Sequence, residues 1–207
     1  MQKIIITILL LLISLSCVAV PRVNSDTITQ QIDSLLPVTT QVGIPASGDL
    51  LQQNTNVYFP RRDDDPASAL AALYMSTNNT LDIAIYSLTH PQIVKAIGDT
   101  YKRGIPVRII TDKTQAAGAT QKHAMNDLIT IGIPIKIDAH SGLMHLKISI
   151  IDSNIATTGS YNYSKGASED NDEILLIIRE QWFAQMCQIE FNRLWSSAQF
   201  TNLGMSY

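Results

Sequence analysis

From Val57 onward the chain alternates short β-branched runs with amphipathic stretches, and proline or glycine marks nearly every change. That alternation restricts the fold more than any other feature, because strands separated by helices bury their apolar sides only as a sheet with helices laid over it. Asp65-Pro66 reads as an N-cap with proline at the first helical position and opens a helix reaching Ser76. Leu81 to Ser87 follows as a buried strand. Pro91 starts the next helix, with Ile93, Ile97 and Tyr101 as its apolar stripe and Gly104 at its end. Pro106 to Thr111 is another buried strand, and Ala119 to Ile131 is a helix that Gly132 terminates. Pro134 to Ile137 then leads through an exposed loop toward His145. From Gln181 to Ser197, Phe183, Cys187, Phe191 and Leu194 recur at helical spacing, which makes Cys187 part of a buried stripe. The expected fold is α/β: one domain with a mixed β-sheet flanked by helices on both faces.

The chemistry concentrates between His145 and Ile178. His145 to Ile151 has polar residues at every second position, so His145, Lys147 and Ser149 face one side of a strand. Asp152-Ser153-Asn154 is a turn-forming triplet, and Ile155 to Gly159 is the returning strand of a hairpin. Beyond it Ser160 and Asn162 again sit at period two, with Gly159 before them allowing close backbone approach to a ligand. Cleaving a phosphodiester requires an attacking group, charge neutralisation on the non-bridging oxygens, and a proton for the leaving oxygen. His145 can attack phosphorus through one ring nitrogen if a carboxylate holds the proton of the other, and Glu173 is the candidate orienter. Lys147 would neutralise phosphate oxygens while Ser160 and Asn162 donate hydrogen bonds to them.

His145-x-Lys147-x4-Asp152, then six residues and Gly159-Ser160-x-Asn162, with Glu173 before the strand Ile174 to Ile178, resembles the HKD motif of the phospholipase D superfamily. From about Val57 to Trp195 the order of elements is similar to that of the superfamily's small bacterial endonucleases, including Ile83 to Thr89 and the closing Phe191-x-x-Leu194-Trp195. The resemblance implies a catalytic set of His145, Lys147, Asp152 and Glu173. It places Asp152 in a supporting role, Lys147, Ser160 and Asn162 on the substrate, and Glu173 as the group orienting the histidine. It implies no metal and no cofactor. Two-motif members join two such histidines, one forming a phosphohistidine and the other serving as acid and base. One motif here implies a homodimer with a composite active site, His145 of one subunit attacking and His145 of its mate moving the proton.

Other readings are weighed against this one. A lone histidine on an apolar strand is ordinarily a hydrogen-bonded structural residue, and the surrounding spacing argues otherwise here. A metal site at Asp138, His140 and His145 lacks a cysteine or a close third histidine. His90 reads as a helix-start residue, His123 as a solvent-facing one. Three functions fit the residues: a nuclease on DNA or RNA, a phospholipase D on phosphatidylcholine-like lipids, or a non-catalytic binder that keeps the phosphate pocket.

The remaining sequence sets the context. Met1-Gln2-Lys3 and the apolar run Ile4 to Leu15 read as a signal peptide over residues 1–19, implying a periplasmic or secreted protein. The alternatives are an uncleaved leader acting as anchor, or lipidation of Cys17. Residues 20–56 read as a linker or arm with a short helix around Thr29 to Leu36, and residues 57–207 as the catalytic domain. Cleavage removes Lys3 and no acid, so the formal charge moves from -3 to -4. Nucleic-acid binding therefore calls for a local basic patch, for which Lys113, Lys122, Lys147 and Lys165 are candidates. Arg61-Arg62 is followed at once by Asp63-Asp64-Asp65 and reads as a solvated turn.

Overall fold

The computed structural model describes residues 54–204. The expected leader, the short helix near Thr29 to Leu36, Cys17 and all but the end of the arm lie outside the described residues. Strand β1 (Thr55–Tyr58) leads through a single 3-10 turn (Pro60–Arg62) into α1 (Pro66–Met75), β2 (Leu81–Ile85), α2 (Pro91–Lys102) and β3 (Val107–Thr111). Next come α3 (Lys113–Ala117), α4 (Ala119–Thr130), β4 (Ile135–Asp138), β5 (Lys147–Ile151) and β6 (Ile155–Gly159). α5 (Lys165–Glu169), β7 (Leu175–Ile178), α6 (Gln181–Ser196) and β8 (Phe200–Asn202) complete the described part.

The local signals explain most of these limits. Asp65 caps α1 by accepting from the Ser68 amide at 2.9 Å, with Pro66 at the first helical position. Gly104 and Gly132 follow α2 and α4 with φ of 88° and 99°, the left-handed geometry that stops a helix. His90 is the N-cap of α2, and His123 stands exposed on α4 beside Asp127, as their positions predict. The sheet begins at Thr55, two residues before the expected start of the domain. There Asn54 donates to Glu180 at 2.7 Å, tying the entering chain to the cap of α6.

The eight strands run in the order β1-β7-β6-β5-β2-β3-β4-β8, with β2, β3 and β4 parallel and the other neighbours antiparallel. Both faces are covered, so side chains of alternating direction enter two cores. Ile83, Ile85, Ile109, Ile135 and Ile177 pack with α1, α2 and α4, while Ala84, Ile110, Ile150 and Ala156 pack under α6. Each fully buried isoleucine contributes about 1.5–3 kcal/mol relative to leaving it exposed. Cys187 lies in the second core, where burial pushes its thiol pKa up.

Two buried polar groups brace the sheet. Asp82 takes a bidentate contact from Arg108 at 2.7 and 2.5 Å and a hydrogen bond from Gln188 of α6 at 2.7 Å. Phe191 and Trp195 stack 5.8 Å apart, and the Arg108 guanidinium lies over both rings. On the opposite face Ser149 is wholly buried between two tyrosines, its Oγ 2.6 Å from the Tyr74 hydroxyl and 2.7 Å from that of Tyr163.

Candidate active site

Register places the site. Lys147 pairs with Ile85, and the Tyr86 amide donates to the Leu146 carbonyl at 2.9 Å, so His145 emerges beside Tyr86 where β2 ends. Gly159 pairs with Leu175, which sets Ser160 against the residues entering β7. His145, Lys147, Gly159, Ser160, Asn162 and Glu173 thereby line one pocket of about 420 Å³. Five of the six expected site residues meet there.

His145 precedes β5 and is exposed. Its ring stands 4.5 Å from that of Tyr86, centroid to centroid. Lys147 is buried at 6% exposure, with Nζ 3.1 and 3.2 Å from the two ring nitrogens of His145 and 3.0 Å from its carbonyl oxygen. The same ammonium lies 5.1 Å above the Tyr86 ring. Burial holds the Lys147 pKa below its ordinary value, and the Glu173 charge opposes that shift. A partly desolvated cation next to a histidine is suited to neutralising a phosphoryl oxygen while the imidazole attacks.

The hydrogen bonds of the motif residues run mainly within the protein. Asp152 is not at the pocket: it caps the far end of β5, with φ of 54°. Its carboxylate accepts from the backbone amides of Asn78, Asn79 and Thr80 at 3.1, 2.7 and 2.9 Å. Those contacts tie the hairpin turn to the α1–β2 loop. Glu173 does not hydrogen-bond His145; it accepts from the Ser160 hydroxyl and, at 3.2 Å, from Asn171. Ser160 in turn accepts from the Ile174 amide at 3.2 Å, so its hydroxyl proton is committed to Glu173. Gly159 is required by protein packing: at φ of 139° an added Cβ would stand 2.1 Å from the Ile174 carbonyl oxygen. Asn162 keeps its expected place, with a buried Oδ1 that has no partner among the described residues.

The other candidates separate from the site. Asp138 accepts from the Lys113 amide at 2.7 Å and faces the Lys113 ammonium at 3.5 Å, while His140 accepts from the Gly142 amide at 3.1 Å. Asp138 also stands 3.9 Å from the His140 ring, and the Lys113 ammonium is held between Asp138 and the His140 carbonyl. Two sets of residues escaped sequence reasoning. Tyr86 lies in the strand run Ile83 to Thr89, but nothing local marks it as a partner of His145. Arg61 and Arg62 line a second pocket that shares Ser160 and Glu173 with the first. β1 brings them there by pairing with β7.

Comparison with known proteins decides the family. The family model described as cardiolipin synthase, PLD-like domain, matches residues 70–195. The chain belongs to the phospholipase D superfamily. The mitochondrial cardiolipin hydrolase of Xenopus tropicalis is 30% identical over 132 residues, covering 64% of this chain and 62% of the relative. The chain thus spans less than two thirds of that relative's length. A phospholipase D of Rickettsia conorii is 31% identical over 100 residues, 48% of this chain and 49% of the relative. Among solved structures, the phospholipase D family member Nuc from Salmonella typhimurium matches with a TM-score of 0.67 and 26% identity. That match covers 72% of this chain and 97% of Nuc, and includes the mixed sheet with helices on both faces.

Proposed function

We propose that this phospholipase D superfamily member is a metal-independent endonuclease that hydrolyses phosphodiester bonds of DNA or RNA through a phosphohistidine. The observation that carries the reading is the convergence of exposed His145, buried Lys147, Ser160 and Asn162 on one shallow pocket, with two arginines in the adjoining one. A ring nitrogen of His145 attacks phosphorus, and the bond from phosphorus to the leaving oxygen breaks as that oxygen takes a proton. The proton comes from His145 of a second copy of the chain, since a single copy has one such histidine. The mate's His145 then deprotonates water, which attacks phosphorus and releases the enzyme's His145 with a phosphomonoester product. Lys147 balances charge on the non-bridging oxygens. The Tyr86 ring and the Lys147 ammonium set the imidazole plane.

The alternative substrate is a phospholipid, and one observation favours it. Leu143, 56% exposed, shares a groove with His145, Glu190 and Leu194, and α6 carries Trp182, Met186 and Ile189 at 64%, 60% and 65% exposure. Turnover in EDTA on single- and double-stranded DNA, RNA and phosphatidylcholine vesicles separates the two. Cleavage of nucleic acid is expected, with His145→Ala inactive yet folded. Choline release alone would establish the lipid reading, substantial turnover by His145→Ala would remove the nucleophile, and loss of activity in EDTA restored by Zn²⁺ would replace the mechanism.

A further inference from the structure

The turn after β1 looks self-neutralising in sequence and is not so in three dimensions. Asp64 accepts from the Phe59 amide at 2.7 Å, and Asp65 is spent on the cap of α1. Among the described residues, neither Arg61 nor Arg62 has a carboxylate at ion-pair distance. Arg61 is oriented by one hydrogen bond, from Nη1 to the Asp170 carbonyl at 2.9 Å, which leaves most of its guanidinium donors unused. The Arg62 guanidinium lies 5.7 Å from the centre of the Phe59 ring.

These groups wall a cavity of about 370 Å³ that abuts the catalytic pocket through Ser160 and Glu173. Asp172 is its one further acid. An exposed pair of arginines beside a phosphodiester-cleaving pocket suits a second phosphate, and a guanidinium over an aromatic ring offers a flat face on which a nucleobase can stack. An acyl lipid offers no ring to use that face.

We propose that the Phe59–Arg61–Arg62 pocket is a subsite for the nucleotide adjoining the scissile phosphodiester. Arg61 and Arg62 take its phosphate, and the Arg62–Phe59 face takes its base. The assignment rests on the phosphodiesterase reading above and narrows it to substrates with successive phosphates and bases.

The test uses single-stranded oligonucleotides of increasing length, in EDTA, with bis(4-nitrophenyl) phosphate as a diester too small to reach the second pocket. For the wild-type chain, kcat/KM is expected to rise about tenfold or more at the length that fills the subsite, in keeping with one stacked base and its phosphate. Arg61→Gln/Arg62→Gln should flatten that rise and lower the salt dependence of binding by a log–log slope of about 0.7, one neutralised phosphate's worth on a single strand. Phe59→Leu, which keeps both charges, should lose part of the length gain and keep the salt slope. Arg61 and Arg62 are exposed and Phe59 is half-buried, so matched unfolding midpoints would check that the variants are folded. A wild-type rate independent of length would overturn the subsite, as would an arginine variant that keeps the full gain. Hydrolysis of bis(4-nitrophenyl) phosphate and cardiolipin vesicles without cleavage of oligonucleotides would overturn it while leaving the phosphodiesterase standing. A chain inert on every substrate would bring down the enzymatic reading itself.

Discussion

Asp152→Ala separates scaffold from chemistry at a position that motif reasoning places in the catalytic set. The carboxylate satisfies three backbone amides of the α1–β2 loop, and hydrogen bonds to a charged group contribute about 1.5–3 kcal/mol each when the freed donor stays dry. Asn78 and Asn79 are exposed and would recover water, whereas Thr80 is half-buried. One bond therefore counts nearly in full and two count little, for a sum of about 2–3 kcal/mol. Asp152 also holds a φ of 54°, a region that Asp and Asn enter more readily than Ala, which adds about 1 kcal/mol. Asp152→Ala should thus cost about 3–4 kcal/mol, near 10 °C in Tm for a domain of this size. Asp152→Asn keeps one side-chain acceptor and the backbone preference, and should lose about half as much. Thermal unfolding by circular dichroism gives the first quantity, and turnover per folded molecule, well below the onset of melting, gives the second. The expected result is a large loss of stability with wild-type kcat. A variant that melts with the wild type but has lost turnover would refute the reasoning and return Asp152 to the chemistry.

Lys147→Met should abolish turnover and yet raise the denaturant midpoint at pH 7. The folded pKa of Lys147 lies below its usual 10.5, so its buried charge costs stability at every pH under the folded value, and that cost fades as pH climbs toward 10.5. The stability gap between variant and wild type should close over the same range, and a less stable variant at pH 7 would contradict the assignment. The same shift predicts that wild-type activity declines on the alkaline side before an ordinary lysine would titrate. Gly159→Ala combines a glycine-only φ of 139° with a Cβ 2.1 Å from a backbone oxygen, and should cost about 3 kcal/mol or more in urea unfolding. A midpoint equal to the wild type's would mean that β6 and β7 pair differently from the arrangement described.

Where local chemistry dictates structure, the sequence was legible. Ile155–Gly159 is a strand to the residue, its turn sits at Asp152 and Ser153 with both φ at 54°, and Pro91 begins α2 as the proline requires. Strands β1 and β8, of four and three residues, escaped because a short edge strand draws its hydrogen bonds from a neighbour and carries little periodicity of its own. The site divides in the same way. His145, Lys147, Ser160, Asn162 and Glu173 could be named from spacing, because one hairpin and the following strand carry them. Their pairings could not: whether Ser160 donates to a phosphate or to Glu173 depends on a few tenths of an ångström across β6 and β7. Arg61 and Arg62 looked neutralised by the three aspartates that follow, since composition does not record that Asp64 and Asp65 bind backbone amides.

Beneath the site, the hydroxyls of Tyr74, Ser149, Tyr163 and Thr157 share their protons in a sealed row. In such a row each donor fixes the rotor of the next, so no member can be exchanged alone without orphaning a neighbour. Drift at these positions is therefore tied: a phenylalanine for Tyr74 is tolerable beside an alanine for Ser149 and costly without it. The floor under His145 and Lys147 behaves as one inherited unit, whatever loops and termini surround it.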